Sequence, residues 1–542
     1  MFVRLPKLLA VLTLVAAACG PAAPPTKPAE PPPSPAPASK PLELAKPAAS
    51  PAAAAATPTV AARPGGTLRA GLTADLSTLD PHYSTSATDR HIYYAVFNTL
   101  VALDSQLRAV PELAESIEQP DAKTLVFKLR RGVKFHDGTD FDAAAVKFNF
   151  ERMIDPNGGS IRRSELGSID SVETPDSSTV ILHLKAPDAA LLATLTDRAG
   201  MMVSPAAVQK YGKDFARNPV GTGPFMFVEW VKDDHLTVKK NDSYWRQGYP
   251  LLDEVEFKPV TDGTVRLTAL RTGTLDIIDG VAPKDIASAR AAPDLEVSQI
   301  PGVGYERIEL NTAKPPFDNK ALRQAVAAGI DREAIQKGVY FDTGAPAQGP
   351  IPPSSWAFSK DFKGWGNAAD PATAKAKLQE GGQPDGFSFT YLVQNDPVLQ
   401  QMATVIQEQL RQIGIDVKIE VNEQAAVIQR RAEGSFDGTE SNWSGRVDPD
   451  GNMYSHFLTG GANNWGKYGN PRVDELLKAA RQATKVEERA KEYQDAQALI
   501  SEDAPVVFLH HDAEIKAWNK KLRDYQELAD GRFRFERVWL AT

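Results

Sequence analysis

The sequence predicts an α/β fold, and three of its patterns carry that prediction. Apolar and polar residues alternate over 125–129 and over 180–184, as they do in half-buried strands. Apolar residues recur at intervals of three and four over 399–413, which places them on one face of a helix. Strands interleaved with helices of this length are typical of α/β proteins. The periodicity leaves the number of sheets open.

The clearest helix–strand unit occupies 398–421. Gly414 follows the last apolar residue of the helical pattern and is predicted to end the helix. Beyond it, apolar residues alternate over 415–421 and predict a strand. A second helix is predicted over 319–338, where apolar residues again keep the helical spacing.

Length and charge bound the class of protein. A chain of 542 residues is too long for one small domain. The 61 Lys and Arg residues against 69 Asp and Glu give a net charge of −8. That balance lacks the basic excess that would neutralise a phosphate backbone, so we expect no nucleic-acid partner.

The N-terminus predicts export. Arg4 and Lys7 precede an apolar run over 8–18, which is too short to span a membrane but fits the apolar region of a signal segment over 1–19. Cys19, the only cysteine of the chain, follows three alanines and precedes Gly20. This arrangement resembles the lipobox of bacterial lipoproteins, although Ala16 stands where a larger aliphatic residue is preferred.

Lipidation of Cys19 is therefore our expectation, and ordinary cleavage that leaves a free thiol is the alternative. The following stretch, 20–64, consists almost entirely of Pro, Ala, Ser, Thr and Lys. Such a composition predicts a disordered tether, because it has too little apolar surface to offset the entropy of ordering. Fully extended, it would reach on the order of 100 Å.

Several strings imitate catalytic or metal sites. The stretch 461–467 has the spacing of a phosphate-binding loop, but Tyr468 stands where a hydroxyl should hold magnesium. His510 and His511 are neighbours on a predicted strand and would point to opposite faces, so we interpret them as a solvated strand end. His136 precedes an Asp-Gly pair and is predicted to lie in a turn. We expect no catalytic residues, no metal and no cofactor.

The sequence FKLRRGVKFHDGTDF at 127–141 resembles the signature of family 5 extracellular solute-binding proteins, the dipeptide, oligopeptide and nickel binders of ABC importers. Further segments resemble that family in the same order, so that the resemblance covers nearly all of 65–540. They are LDPH at 79–82, NPVGTGPF at 218–225, NDSYW at 241–245, LRQAVAAGIDREAI at 322–335, DPATAKAKL at 370–378, WSGRVDPDG at 443–451 and SEDAPVVFL at 501–509.

The resemblance implies a two-lobed periplasmic-binding-protein fold of type II, of the large cluster with an extra subdomain. Placed on this sequence, lobe I comprises 65–308 and 509–542 and has two subdomains, while lobe II comprises 309–508. The chain crosses between the lobes twice, and the ligand cleft lies between them. Two crossings make a hinge that closes around a ligand.

Arg446 is the most informative candidate for ligand binding. In the peptide-binding members, an Asp in the loop after a Trp pairs with the amine of the ligand, and the loop after Trp443 resembles that loop. Arg446 stands at the acidic position, so that anchor is absent and a carboxylate or phosphate would suit the site. The alternative is that Arg446 pairs with Asp448 or Asp450 and only shapes the loop.

Six further residues are candidates because the family brings their segments towards the cleft. Trp443, Trp465 and Tyr305 could supply aromatic walls, and each could equally belong to the core. Tyr83, Asn98 and Asn463 are placed only by their nearness to pocket loops of the family.

The implied function is that of an extracytoplasmic, lipid-anchored and monomeric receptor. It would capture a peptide-like or other small polar ligand and deliver it to an ABC permease and its ATPase. Peptides, opine-like conjugates, glutathione-like thiols, metal chelates and oligosaccharides all stay open as ligands. An exported hydrolase, and a sensor or chaperone not coupled to transport, are the alternative functions.

Overall fold

A computed structural model describes residues 64–541. The predicted signal segment, Cys19 and nearly all of the predicted tether lie outside the described residues. Within 64–541, no helix combines the length and apolar character that a membrane crossing requires.

The strands of the described chain are β1 Thr67–Leu72, β2 Val101–Leu103, β3 Ala109–Pro111, β4 Ala114–Asp121, β5 Thr124–Leu129, β6 Ile169–Asp176, β7 Thr179–Leu184, β8 Phe225–Val231, β9 His235–Lys240, β10 Glu254–Pro259, β11 Ile277–Asp279, β12 Leu295–Leu310, β13 Ala345–Pro346, β14 Ser388–Gln394, β15 Asp416–Asn422, β16 Gly438–Trp443, β17 Val506–Asn519, β18 Leu522–Arg523 and β19 Trp539–Leu540.

The α-helices of the same region are α1 Asp89–Val96, α2 Ala143–Ile154, α3 Leu191–Thr194, α4 Pro205–Tyr211, α5 Gly263–Arg271, α6 Ile286–Arg290, α7 Lys320–Gly329, α8 Arg332–Gly338, α9 Pro371–Glu380, α10 Pro397–Arg411, α11 Gln424–Glu433, α12 Pro449–Phe457, α13 Pro471–Gln482 and α14 Val486–Asp503. Short 3-10 helices occupy Ile161–Ser164, Arg198–Gly200, Gly212–Arg217 and Pro283–Asp285.

The largest sheet has its two longest strands at its centre. Its order is β15-β14-β16-β12-β17-β11-β1-β10-β9-β8, with β13 also paired to β17. β12 and β17 run antiparallel from the pair Leu295↔Asn519 to the pair Glu309↔Val506, with irregular register near Pro301. These two strands therefore join the two halves of the sheet. A separate four-stranded sheet has the order β4-β5-β7-β6.

The apolar core falls into two groups that meet at this strand pair. Three core clusters draw their buried residues from 68–295 and 515–538. The other three draw theirs from 305–509. No core cluster of the described chain mixes the two sets, and each set forms one lobe of a two-lobed α/β architecture.

The predicted strands and the clearest predicted helix are confirmed. β5 and β7 occupy the two alternating stretches, and α10 followed by β15 occupies 397–422. The helix predicted over 319–338 is instead two helices, α7 and α8. The break occurs because the side chain of Asp331 accepts a hydrogen bond from the amide of Ala334, which starts a new helix.

The two neighbouring histidines were wrongly interpreted as a solvated strand end. His510 and His511 lie within β17 and are only 3% and 4% exposed. The ring of His510 stacks on Tyr340 with centroids 3.7 Å apart, and its Nδ1 lies 2.9 Å from Oε1 of Gln336. The predicted turn is confirmed, because the amide of Gly138 donates to the carbonyl of Phe135 at a positive φ of 83°.

Candidate functional site

The candidate site is a cavity of about 120 Å³ between the two lobes. One wall comes from residues between Arg90 and Asp197, together with Asp530. The facing wall comes from the segment between Trp443 and Arg481, and Val303, on the strand β12 that joins the two halves of the sheet, also lines the cavity. Residues that pack against core clusters of both sets, such as Tyr94 and Trp443, thus share one lining, as a cleft between lobes requires.

The loop after β16 places Arg446 on this lining. Gly445 has a φ of 72°, and a Cβ atom there would lie 2.1 Å from the carbonyl oxygen of Val303, so glycine is required. Asn452 in α12 fixes the loop, because its Oδ1 accepts hydrogen bonds from the amide of Arg446 at 2.8 Å and from Nε1 of Trp443 at 3.0 Å. The backbone of Arg446 is therefore held rigidly against both β16 and α12.

The guanidinium of Arg446 has no close carboxylate among the described residues. Its nearest is Asp197, whose Oδ2 lies 3.9 Å from Nε. The guanidinium lies over the ring of Trp443, 4.6 Å from the centroid, and its side chain is 20% exposed. Burial and then the charge of Arg90 lower the pKa of Arg446 to about 10, against the opposing effects of Asp197 and Glu165.

Asp197 is already occupied by other donors. Its Oδ2 accepts from Nη1 of Arg90 at 3.0 Å, and its Oδ1 accepts from the amide of Arg198 at 2.8 Å. Although burial favours the neutral acid, the charges of Arg90, Arg198 and Arg446 hold the pKa of Asp197 well below its ordinary value. Asp197 thus shares one negative charge among three arginines, and Arg446 is held at the longer distance.

The two carboxylates proposed as loop partners of Arg446 bind other arginines. Asp448 accepts two hydrogen bonds from Arg489, at 2.9 and 3.0 Å. Asp450 accepts two from Arg481, at 3.1 and 2.5 Å. The alternative in which Arg446 pairs with either of them is therefore contradicted by the geometry.

Polar contacts join the two walls around the cavity. Nη2 of Arg90 donates to Oγ of Ser444 at 3.3 Å. The amide of Ala189 donates to the carbonyl of Arg481 at 2.8 Å, and Nε of Arg481 lies 3.9 Å from Oδ1 of Asp188. The lobes are thus in contact, and the cavity is that of a closed cleft.

The structure brings three of the predicted residues to this cavity. They are Arg446, Trp443 and Asn463. Asn463 is held by its Nδ2, which donates to Oγ of Ser455 at 2.9 Å. Ser455 also lines the cavity, so this pair presents a small polar surface beside the aromatic face of Trp443.

The other four predicted residues lie elsewhere. Tyr305 is fully buried in a core cluster, where its hydroxyl donates to the carbonyl of Asn452. Trp465 packs against a small core cluster and against Arg431. Tyr83 is 37% exposed and donates to the carbonyl of Gly158.

Asn98 is buried within the first lobe rather than at the cleft. Its Nδ2 donates to Oε1 of Glu112 at 3.0 Å, and its Oδ1 accepts from Nε1 of Trp245 at 2.9 Å. Its polar atoms are therefore used within the fold.

Sequence reasoning missed most of the wall that faces Arg446. Arg90, Tyr94 and Asp197 line the cavity from the first lobe, and Asp530 joins them from the C-terminal segment. None of these residues lies in a sequence motif that would mark it as part of a binding site. Only the long-range packing of the lobes brings them together. Within 64–541, no group of three His, Cys, Asp or Glu side chains is placed to hold a metal ion.

Comparison with known protein families gives a match over residues 108–465 to the middle region of bacterial extracellular solute-binding proteins, family 5. Among curated proteins, the chain is similar to the glutathione-binding protein GsiB of Salmonella typhimurium, with 32% identity over 497 residues that cover 89% of this chain and 95% of the relative. It is 31% identical to GsiB of Escherichia coli O157:H7 over 478 residues, or 85% of this chain and 92% of that one.

Two solved structures share the fold. The periplasmic binding protein DppA of Helicobacter pylori, in complex with the peptide STSA, has a TM-score of 0.80 and 29% identity, covering 89% of this chain and 99% of that one. The binding protein AgaA of Agrobacterium tumefaciens R10, in complex with agropinic acid, has a TM-score of 0.79 and 32% identity, covering 88% and 99%.

Proposed function

This chain belongs to family 5 of the bacterial extracellular solute-binding proteins, and on that premise we propose that its ligand is a small peptide-like molecule whose carboxylate binds Arg446. The protein is a solute-binding receptor of an ABC importer, and the cavity between the lobes is where its ligand would be enclosed.

The observation that carries the proposal is the charge balance around Arg446. Its guanidinium lines the cavity, is largely buried, and has its nearest carboxylate 3.9 Å away on a residue that Arg90 already binds. Nη1 of Arg446 donates to the carbonyl of Gly445 at 2.6 Å, which satisfies one donor but supplies no negative charge. A buried cation whose charge is poorly compensated costs several kcal/mol unless an anion reaches it. A ligand carboxylate can accept two parallel hydrogen bonds from one guanidinium, which meets this requirement.

The relatives support a ligand of this kind. The curated relatives are named for glutathione, and the similar structures hold the peptide STSA and agropinic acid. A peptide with a free C-terminus and glutathione both carry carboxylates, so the chemistry of these ligands fits a cationic cavity wall.

The test combines ligand discovery with two variants. Mass spectrometry of the purified protein, under native and denaturing conditions, identifies a retained ligand. Calorimetric titration then compares wild type, Arg446→Ala and Arg446→Lys with glutathione, with the peptide Ser-Thr-Ser-Ala and with C-terminally amidated Ser-Thr-Ser-Ala. Arg472, which is 62% exposed on α13, provides the control variant Arg472→Ala.

We expect Arg446→Ala to weaken binding of a carboxylate ligand by about 2 to 5 kcal/mol, as is usual when a buried charged hydrogen bond is broken. Arg446→Lys should recover only part of this, because one ammonium cannot reproduce the guanidinium fork. The amidated peptide should bind the wild type weakly and be insensitive to the variant. Equal affinities for all proteins and both peptide forms would contradict the proposal.

We also propose 65–308 with 509–542 as lobe I and 309–508 as lobe II, a division supported by the separation of the core clusters and by the two strands that cross between them. Diacylation of Cys19 would anchor the protein at the outer face of the cytoplasmic membrane or in the periplasm. The extracellular character of the family supports this placement. A monomer suffices for the proposed function, because one chain supplies both walls of the cavity.

A further inference from the structure

The acidic side chains of the cavity wall differ in how fully the protein satisfies them. Four of the five carboxylates that line the cavity accept hydrogen bonds on both oxygens from arginine side chains or from backbone. Asp448 is bound by Arg489 and Asp450 by Arg481. Asp530 is bound by Arg534 at 2.8 and 2.6 Å, and Asp197 is bound by Arg90 and the amide of Arg198.

Glu165 is the fifth carboxylate and is held through one oxygen. Its Oε1 accepts from Nη1 of Arg162 at 2.5 Å, and its Oε2 has no hydrogen-bond partner among the described residues. The side chain is 29% exposed and lines the cavity. One carboxylate oxygen on the wall is thus available to a ligand.

Arg162 fixes the position of Glu165. It is 6% exposed at its side chain, and its Nη2 donates to the carbonyl of Ser84 at 3.2 Å. Glu165 directly follows the 3-10 helix Ile161–Ser164, and its amide donates to the carbonyl of Arg162 at 2.9 Å. The acid is therefore held in place before a ligand arrives.

The cavity wall thus offers one cation without a close carboxylate, Arg446, and one carboxylate with an open oxygen, Glu165. They come from opposite lobes and line the same cavity. We propose that Glu165 binds the ammonium group of a zwitterionic ligand whose carboxylate is bound by Arg446. This inference rests on the proposed function and adds the residue that binds the amine of the ligand.

In this arrangement Glu165 would replace the acidic residue that peptide-binding members of the family carry at the position of Arg446. An ammonium donates three hydrogen bonds and favours an ionised acceptor. Glu165 would supply that acceptor from the facing wall, so the ligand would lie with its amine towards lobe I and its carboxylate towards lobe II. A zwitterion in this orientation would link the two lobes through its own charges.

The experiment uses the full-length protein with glutathione and Ser-Thr-Ser-Ala, each also in N-acetylated form, in calorimetric titrations. Glu165→Gln keeps the acceptor for Arg162 but removes the charge. We expect it to weaken binding of the free-amine ligands by about tenfold or more, as for loss of a hydrogen bond to a charged group. The N-acetylated ligands should bind the wild type weakly and lose nothing further in the variant.

Glu151→Gln, at an exposed position on α2, is the matched control and should bind as wild type. The inference is overturned if Glu165→Gln binds free-amine ligands normally, or if it weakens acetylated and free-amine ligands equally. If the variant fails to fold, the wild type alone decides, because equal binding of free and acetylated ligands overturns the inference and a loss of at least tenfold on acetylation supports it.

The two proposals fail separately. Loss of binding in Arg446→Ala together with a silent Glu165→Gln leaves the carboxylate site standing and overturns the amine site. Absence of binding to every unmodified probe overturns the proposed function, and the amine site falls with it.

Discussion

Replacing Arg446 by methionine should remove binding of carboxylate ligands while leaving the ligand-free protein as stable as the wild type or more stable. Methionine is similar to arginine in length and adds no charge. The prediction follows because Arg446 is largely buried and its nearest carboxylate, Asp197, already accepts from Arg90. If Arg446 serves to bind the ligand, it need not contribute to the stability of the ligand-free protein.

The magnitude follows from the electrostatics of the cavity. Burial lowers the pKa of Arg446 to about 10. Each pH unit of lowering corresponds to about 1.4 kcal/mol of preference for the neutral form. In the closed cleft without a ligand, the charged guanidinium therefore costs about 3 kcal/mol at neutral pH, less whatever its contact with Trp443 returns. An open, ligand-free form that exposes Arg446 would not carry this cost, so its Tm should not fall in the variant.

The assay is thermal unfolding of protein stripped of ligand by denaturation and refolding, followed by titration with glutathione. Arg446→Met should show an unchanged or higher Tm and no measurable heat of binding. Arg489→Met is the informative comparison, because it leaves the buried Asp448 without the arginine that binds both of its oxygens. That variant should lose about 3 to 5 kcal/mol of stability.

A fall of several degrees in the Tm of Arg446→Met, comparable with that of Arg489→Met, would refute the reasoning. Arg446 would then be a structural member of the loop, and its distance from Asp197 would understate their interaction. Retained binding together with an unchanged Tm would show that the ligand does not reach the guanidinium.

Three further predictions address the anchor, the hinge and pH. Cys19→Ala should release the protein from washed membranes without lowering its Tm, whereas a variant that still pellets in high salt and carbonate would place the anchor elsewhere. A bound ligand should reduce the radius of gyration in small-angle scattering, because only a closed cleft contacts it from both sides, and an unchanged radius at saturation would count against a hinge. Burial lowers the pKa of His82 and His136 to about 4. As the pH falls below about 6.5, these two histidines therefore become protonated in the unfolded chain while they stay neutral in the folded protein. Stability should be complete above about pH 6.5 and fall steadily towards pH 4, and a Tm that stays constant over this range would contradict the burial of these rings.

The periodicity of apolar residues in the sequence predicted those helices and strands that have one face in the core and one face in solvent. The alternation over 180–184 and the helical spacing over 399–413 became β7 and α10, since one solvent face and one core face leave a periodic trace. The break between α7 and α8 was harder to predict from the sequence, because the capping residue Asp331 interrupts the helix without changing the spacing of its apolar residues. The sheet order was beyond such reasoning, because the pair Glu309↔Val506 joins strands far apart in the chain.

The candidate site was predictable only on the wall to which the family resemblance pointed. Trp443 and Arg446 lie in a loop that resembles a family loop, Asn463 was a candidate only by its nearness to such loops, and the cavity lies against all three. Tyr305, in a similar segment, points into the core, since the direction of a strand side chain depends on register. Asp197 and Glu165 contribute through packing between lobes, which leaves no local pattern in the sequence.

The strand pair β12–β17 has a consequence for the order in which the chain folds. The core that contains β1 also buries Trp518, Phe533 and Phe535, which lie far from β1 in the sequence. Domains generally fold from the N-terminus during synthesis, but here β1 shares its core with residues 518–538, more than 400 positions further along the chain. The core formed within 305–509 needs nothing from the chain's last residues. The core around β1 can therefore be completed only when residues 518–538 are present, whereas the cores within 100–202 and 305–509 can form without them.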